Sequence, residues 1–198
     1  MRVLGIDPGT ATTGWGVVEF RDGKISCIDF GCIRTHAREA KAERLRIIYR
    51  SLLRIIRRFR PEDMAIEKLF FNANAKTAMS VSQCRGVCLL ASAVTGLNTY
   101  EYNSSAVKRA VAGHGKATKR EVAMRVREIL RLNDIPKPDD ASDALAVAIA
   151  HILRTYRSPA ASLNKNNKNK RKSQQKHEGK SSIQQQSECN KPTEDCNE

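Results

Sequence analysis

Apolar positions up to residue 33 follow the pattern of short β-strands joined by tight turns. An apolar run at residues 3–6 meets an Asp-Pro-Gly turn at 7–9, and a second stretch rich in strand-forming residues covers 13–20. A turn at 21–24 then leads into a third stretch at 25–33. Three consecutive strands with short connections predict an antiparallel meander.

The hydrophobic period becomes helical beyond residue 40, which predicts an amphipathic helix over residues 40–59. Its apolar positions are Leu45, Ile48, Leu52, Ile55, Ile56 and Phe59. The other side of this helix carries a row of arginines at steps of four residues: Arg46, Arg50, Arg54 and Arg58. A solvated surface and a contact with phosphates or a partner both account for such a row.

A second helix is predicted over residues 75–94, and it is apolar around most of its circumference. A helix with two apolar faces needs two burial partners. The sheet supplies one of them, and a second subunit is a candidate for the other. The intervening run at residues 64–67 reads as a buried strand, which favours a parallel arrangement beside the first strand.

The rest of the chain adds a strand at residues 98–102 and helices at 104–111, 118–132 and 139–155. The order of elements predicts an α/β fold with a mixed five-stranded sheet flanked by helices. In that sheet a three-strand antiparallel meander is extended by two parallel strands.

Composition divides the chain into a domain at residues 1–156 and a tail at 157–198. The tail has no aromatic residue and is dominated by Asn, Lys, Ser and Gln. Such a segment cannot bury enough apolar surface to offset the entropy lost on ordering. The sequence therefore predicts a disordered, basic, low-complexity tail.

The chain has 198 residues and a strong positive charge, with 35 Lys and Arg against 21 Asp and Glu, a formal net charge of +14. This surplus indicates a polyanionic partner, either nucleic acid or an acidic membrane surface. No apolar run approaches the roughly 18 residues of a spanning helix, and the N-terminus lacks the pattern of a signal peptide. We expect a cytoplasmic protein that does not enter a membrane.

Four acidic residues stand out against this basic background. Asp7 ends the first strand and Glu67 ends the fourth, so parallel neighbouring strands would bring both carboxylates to one edge of the sheet. Asp140 and Asp143 are three residues apart at the start of the last helix and share one face. We expect all four to converge if this helix packs across that edge.

Converged carboxylates need a counter-charge, because one pair 4 Å apart repels by about 4 kcal/mol at an effective dielectric near 20. Oxygen-only ligands suit Mg²⁺ or Mn²⁺, and two such ions roughly 3.5–4 Å apart support phosphodiester hydrolysis. Three of the acids also have a structural explanation. Asp140 and Asp143 could favour the dipole in the first turn of a helix, and Asp7 could form a turn. Glu67 is the hardest to explain structurally, because a buried strand should be apolar there.

At these residues the sequence resembles the RuvC family of bacterial Holliday-junction resolvases, within the RNase H-like superfamily. The resemblance covers about residues 1–154. The matching stretches include Leu4-Gly-Ile-Asp-Pro-Gly-Thr, Ala65-Ile-Glu-Lys-Leu-Phe-Phe, Gln83-Cys-Arg-Gly-Val and Asp140-Ala-Ser-Asp-Ala-Leu. Asp7, Glu67, Asp140 and Asp143 fall on the family's acidic tetrad. Asp139 adjoins the third of them and is a further candidate for the same site.

The resemblance implies an RNase H-like fold and a homodimer that binds four-way junction DNA and nicks two strands symmetrically with Mg²⁺, in DNA recombination and repair. It places Lys108 and Lys119 near the cut phosphate and Phe70 against bases at the junction centre. It matches the second helix to the dimer interface. It also implies a branch-migration helicase complex of the RuvA and RuvB type as a partner.

Three other interpretations of the sequence stay open at this point. Asp7-Pro-Gly-Thr also resembles the phosphate loop of actin-like ATPases, although those enzymes need a second comparable domain. A catalytically inactive DNA-binding module would use the acids structurally. An RNase H-like nuclease could also act on another nucleic acid, such as ribosomal RNA.

Overall fold

A mixed five-stranded sheet lies at the centre of the computed structural model, with strand order β3-β2-β1-β4-β5. The structure describes residues 1–68 and 75–156, with side chains described from residue 78 in the second segment. The strands are β1 (Arg2–Asp7), β2 (Thr12–Arg21), β3 (Lys24–Arg34), β4 (Asp63–Glu67) and β5 (Asn98–Tyr102). The helices are α1 (Lys41–Phe59), α2 (Ala75–Thr95), α3 (Ser104–Ala112), α4 (Lys119–Leu130) and α5 (Asp139–Tyr156).

The strand pairing confirms the predicted sheet. β1, β2 and β3 form the antiparallel meander, while β4 pairs parallel to β1 and β5 parallel to β4. Asp22 and Gly23 both have positive φ values, 52° and 75°, at the turn between β2 and β3. Two such residues give a hairpin turn whose twist matches that of the flanking strands.

Helices cover the two faces of the sheet. α1 and α2 pack on one face, where Ile48, Leu52 and Cys84 join a buried cluster with Leu4 and Ile66 of the sheet. α3, α4 and α5 contribute to the cluster on the other face, whose strand members are Val3, Val18, Ala65 and Tyr102. Burial against both faces explains why the run at β4 is apolar in sequence.

Helix α5 lies unusually close to the sheet because glycines of β1 and β2 face it. A Cβ atom built on Gly14 would lie 1.9 Å from the carbonyl oxygen of Asp140. One built on Gly5 would lie 2.0 Å from the carbonyl oxygen of Ala144. Neither strand position can carry a side chain while α5 lies this close. The two glycines therefore allow the first turns of α5 to contact the backbone of the sheet.

One helix is shorter than the sequence predicts. Helix α4 ends at Leu130 and not at 132, because Arg131 adopts a left-handed conformation with φ 54° and caps the helix with its backbone N–H. Phe70 and the predicted tail at 157–198 lie outside the described residues. The compact unit that contains the sheet is Met1–Thr155.

Helix α2 has one buried side and one exposed apolar side. Cys84, Cys88 and Ala91 are buried against the sheet and α1, as the two-faced pattern predicts. Met79, Leu90 and Val94 are 70%, 55% and 62% exposed. Across residues 1–68 and 75–156, no helix is both long and apolar enough to cross a membrane.

Candidate active site

A cavity of about 210 Å³ opens where β1 and β4 end. Three of the four predicted acids and both predicted lysines line it. Its walls are formed by Asp7, Glu67, Ser104, Val107, Lys108, Lys119, Val122, Asp143, Ala146 and Val147. Charged groups from five different elements therefore meet at one edge of the sheet.

The parallel pairing of β1 and β4 brings Asp7 and Glu67 to the same edge. Ile6 is the register partner of Ile66, so the next residue of each strand leaves the sheet at the same level. Position 7 also pairs with Gly14 of β2, and the missing side chain at Gly14 admits the first turn of α5. The same contact that seats α5 thus brings Asp143 to the two strand-end carboxylates.

Asp140 is the one predicted acid that does not line this cavity. Asp140 lines a neighbouring cavity with Arg34, Lys137, Pro138 and Asp139. The charge of Asp140 still contributes to a raised pKa at Asp7. Asp139 shares the cavity of Asp140 and does not line that of Asp7.

Among the described residues, three carboxylates and two ammonium groups line the cavity, so negative charge is in excess there. Burial raises the pKa of Asp7 from 3.8 to about 7, with further contributions from Asp143, Glu67 and Asp140 in that order. Burial also raises the pKa of Glu67, against the effect of a hydrogen bond with Ser104. A site that resists ionisation in this way stabilises a bound cation.

Lys119 supplies the nearest positive charge. Its Nζ lies 3.0 Å from Oδ2 of Asp143, and this hydrogen bond raises the pKa of the lysine. Thr118 and Glu121 form a capping box that fixes Lys119 as the first residue of α4. Lys108 of α3 also lines the cavity, and its charge acts against the rise in the pKa of Glu67.

The chemistry of this donor set fits a hard divalent cation. The three acids offer only oxygen ligands, which Mg²⁺ and Mn²⁺ prefer. Among the described side chains, no three His, Cys, Asp or Glu residues stand in a ready-made metal-binding group. Lys119 is instead the partner of Asp143, so a metal ion would have to replace an ammonium group that already neutralises part of the site.

Two features of the structure were not predicted from the sequence. Ser104 lines the cavity and is hydrogen-bonded to Glu67. Its position just after β5, at the same edge of the sheet as Asp7, is the feature of the sequence from which its place in the site could have been predicted. His151 is fully buried and links Asp63 and Tyr102, with its Nδ1 2.6 Å from the tyrosine hydroxyl and its Nε2 3.1 Å from Oδ2 of Asp63. This second network does not line the cavity.

Comparison with protein families gives one match over most of the chain. The family model described as crossover junction endodeoxyribonuclease RuvC matches residues 3–151. A crossover junction endodeoxyribonuclease RuvC of Chloroflexus aurantiacus is 54% identical over 151 residues, covering 76% of this chain and 92% of the relative. One of Finegoldia magna is 50% identical over 153 residues, covering 77% and 93%.

Solved structures give the same result. The structure of T. thermophilus RuvC in complex with Holliday junction substrate is similar with a TM-score of 0.75 and 39% identity, covering 78% of this chain and 94% of that one. The yeast mitochondrial Holliday junction resolvase has a TM-score of 0.56 at 13% identity, which shows a shared fold. The predicted RNase H-like α/β fold is thereby confirmed.

Proposed function

The chain belongs to the RuvC family of crossover junction endodeoxyribonucleases, and we propose that the cavity of Asp7, Glu67 and Asp143 is where it cuts a four-way DNA junction. The activity is hydrolysis of DNA phosphodiester bonds at Holliday junctions, in recombination and repair. One observation supports the site above all: acids from three separate segments meet two lysines in one cavity. Family membership also removes the ATP-binding interpretation of Asp7-Pro-Gly-Thr.

Nucleases of this family depend on a metal ion. We assign its ligands here to Asp7, Glu67, Asp143 and Asp140, the last of which lines the adjoining cavity. Mg²⁺ is the proposed ion, two per site, and Mn²⁺ is the alternative. When bound, the metal supplies Lewis-acid activation of water and of the scissile phosphate.

The lysines of the cavity act on the substrate's negative charge. Lys108 and Lys119 both line the cavity, so a phosphate bound there would meet two ammonium groups. Such fixed charges stabilise the additional negative charge that develops in the transition state. Lys119 is 77% exposed, and release from Asp143 would let it turn toward the strand being cut. Phe70, outside the described residues, keeps its predicted role of stacking on a base at the junction centre.

Symmetric cutting requires two cavities, and the exposed apolar side of α2 fits a homodimer interface. Met79, Leu90 and Val94 fall on one stripe, since 11 and 4 residues bring a helix back to nearly the same direction. Gly86 lies on that stripe, and no neighbouring element in the described part of the chain comes within 4 Å of its would-be Cβ, which leaves space for a second backbone. A two-fold axis through this stripe would place one cavity at each of two DNA strands of like sequence.

Two further features of the proposed function come from the family resemblance. A branch-migration complex of the RuvA and RuvB type would deliver the junction to the dimer. A DNA substrate also agrees with the cytoplasmic location expected from the sequence.

The test uses a mobile four-way junction and a linear duplex of the same sequence, each with Mg²⁺ or with EDTA. We expect paired nicks in opposite strands of the junction only, and only with Mg²⁺. Asp7→Asn should abolish cleavage and leave junction binding intact or tighter, because a repelling charge is removed. Asp22→Asn is the matched control, since it removes an exposed carboxylate at a turn that Asn tolerates. Cleavage by Asp7→Asn at the normal rate would exclude Asp7 as a ligand, and binding without any cleavage by the unaltered protein would favour the inactive DNA-binding module.

A further inference from the structure

A second cavity, of about 680 Å³, lies between helix α1 and the edge strand β3 and is named here the β3–α1 groove. It shares no lining residue with the cavity of Asp7. The groove is lined by Trp15, Asp29, Cys32, Ile33, Arg34, Ile47, Ser51, Arg54, Ile55, Arg58 and Phe59. Apolar residues form its floor, while charged residues stand along its rim.

The floor of the groove is aromatic and firmly packed. The rings of Trp15 and Phe59 lie with centroids 5.8 Å apart, at an angle of 34°. Gly31 of β3 passes directly over the indole, where an added Cβ would lie 3.2 Å from Cζ2 of Trp15. Trp15 therefore has a fixed position and is only half-buried. We expect its fluorescence to change when a ligand occupies the groove.

The rim of the groove carries a surplus of arginine. Arg34, Arg54 and Arg58 face one acid, Asp29, among the lining residues. Arg58 approaches Asp29 only to 3.9 Å and has a side chain that is 74% exposed, with its guanidinium 4.8 Å from the ring centre of Phe59. Arg54 donates a hydrogen bond to the hydroxyl of Ser51. A net charge of +2 thus lines a groove with an aromatic floor.

The arginines of α1 do not all behave alike. Arg46 makes two hydrogen bonds to Glu43, and Arg44 donates one to Thr35, so their guanidinium groups already have local partners. Arg54 and Arg58, one helical turn apart, line the groove. Within the row of arginines seen in the sequence, Arg46 is paired with Glu43, whereas Arg54 and Arg58 line a cavity.

The groove leads toward the cutting edge of the sheet. Arg34 lines both the groove and the neighbouring cavity that contains Asp140. From Ile47 to Phe59 the groove follows α1 for twelve residues, about 18 Å at the rise of an α-helix. That length matches the axial rise of about five base pairs.

We propose that the β3–α1 groove holds the sugar–phosphate backbone of one arm of the junction, outside the cavity where cutting occurs. This inference rests on the proposed function, because it names a second contact region for the same substrate. Arg34, Arg54 and Arg58 would contact phosphates, which are bound by guanidinium groups in planar, two-pronged hydrogen bonds. Such contacts fix the orientation of the DNA without reading its sequence.

The first experiment uses Trp15 as a built-in probe, since it is the single tryptophan of the chain. The full chain is titrated with a four-way junction in EDTA, so that no strand is cut, while binding is followed independently by anisotropy of labelled DNA. We expect Trp15 emission to change in step with the binding curve. Saturated binding without any change in Trp15 emission would overturn the inference, whereas a lack of junction binding would overturn the proposed function.

The second experiment compares two double variants of the same helix and the same charge change. Arg54→Gln with Arg58→Gln removes two groove contacts, and Arg50→Gln with Arg57→Gln removes two exposed arginines that do not line the groove. Each lost phosphate contact should reduce the slope of log affinity against log salt by about 0.9, so the groove variant should lose about 1.8 and the control almost none. Equal slopes for the two variants would contradict the inference.

Two controls complete the test. Thermal unfolding of both double variants should match that of the unaltered protein, since all four side chains are exposed. Cleavage of a saturated junction at low salt should keep its rate in the Arg50→Gln, Arg57→Gln control, because neither arginine lines the groove or the cavity of Asp7. If a polyglutamate peptide changes Trp15 emission and the junction does not, the groove binds an acidic protein segment and the inference is wrong.

Discussion

Replacing Gly14 by Ala should disable the site without touching any of its charged groups. The added Cβ would lie 1.9 Å from the carbonyl oxygen of Asp140, while real Cβ contacts essentially never fall under 3.0 Å. Helix α5 would have to withdraw by at least about 1.1 Å, and it carries Asp143 with it. Overpacking of this kind destabilises a protein by about 1–3 kcal/mol. A misplacement of about 1 Å at a catalytic group costs roughly 100-fold in rate.

The measurement is single-turnover cleavage of a four-way junction at saturating protein, beside thermal unfolding and junction affinity. We expect a rate reduced about 100-fold, a modest loss of stability and unchanged affinity, because the basic groups that bind phosphate stay in place. Gly115→Ala is the matched control: its Cβ would meet its nearest neighbour at 3.3 Å, which needs a shift of only tenths of an ångström. Normal cleavage by Gly14→Ala would refute the view that the contact with β2 positions Asp143.

Four further predictions address other parts of the molecule. Without metal, Asp7→Asn should raise the free energy of unfolding by up to about 4 kcal/mol at pH 8, because the folded protein must ionise a carboxyl whose pKa is about 7 and not 3.8. This gain should disappear as the pH falls from 7 to 4, and a pH-independent gain in chemical denaturation would contradict the reasoning. Leu90→Glu should turn the proposed dimer into a monomer in sedimentation velocity and uncouple the two nicks, while a dimer unaffected by this change would place the interface elsewhere. Burial lowers the pKa of His151, so the unfolded chain takes up a proton more readily and the free energy of unfolding should fall as the pH drops below about 6.5. This loss should vanish in His151→Gln, and an unchanged loss of stability at low pH would assign the effect to other groups. Removing residues 157–198 should leave unfolding cooperative and the midpoint unchanged within error, and a broadened transition would move the domain boundary.

Much of the fold could be predicted from local patterns. Alternating and helical periods gave the order of strands and helices, because each element of this domain buries one well-defined face. The end of α4 was misplaced by two residues, since Arg131 caps the helix in a left-handed conformation that is rare outside glycine and asparagine. Nothing in the local pattern distinguishes such a residue from one more turn of helix.

The candidate site was predictable as far as strand direction determines it. Asp7 and Glu67 follow from two parallel neighbouring strands, whereas which acids of α5 line the cavity depends on how this helix is rotated against β2. That rotation is set by a contact between the backbone of α5 and Gly14, which only the three-dimensional structure shows. His151 was missed for a similar reason, because its partners Asp63 and Tyr102 come from strands 88 and 49 residues away.

The close seating of α5 on strand backbone has a consequence for how a substrate is chosen. Because α5 is in direct contact with Gly5 and Gly14, its acidic groups cannot shift to follow a DNA strand that lies out of position. The deformation needed for cutting must then come from the nucleic acid, and its energetic cost depends on which base steps unstack easily. We therefore expect sequence preference to track the pliability of the bases at the crossover, even where no side chain reads them.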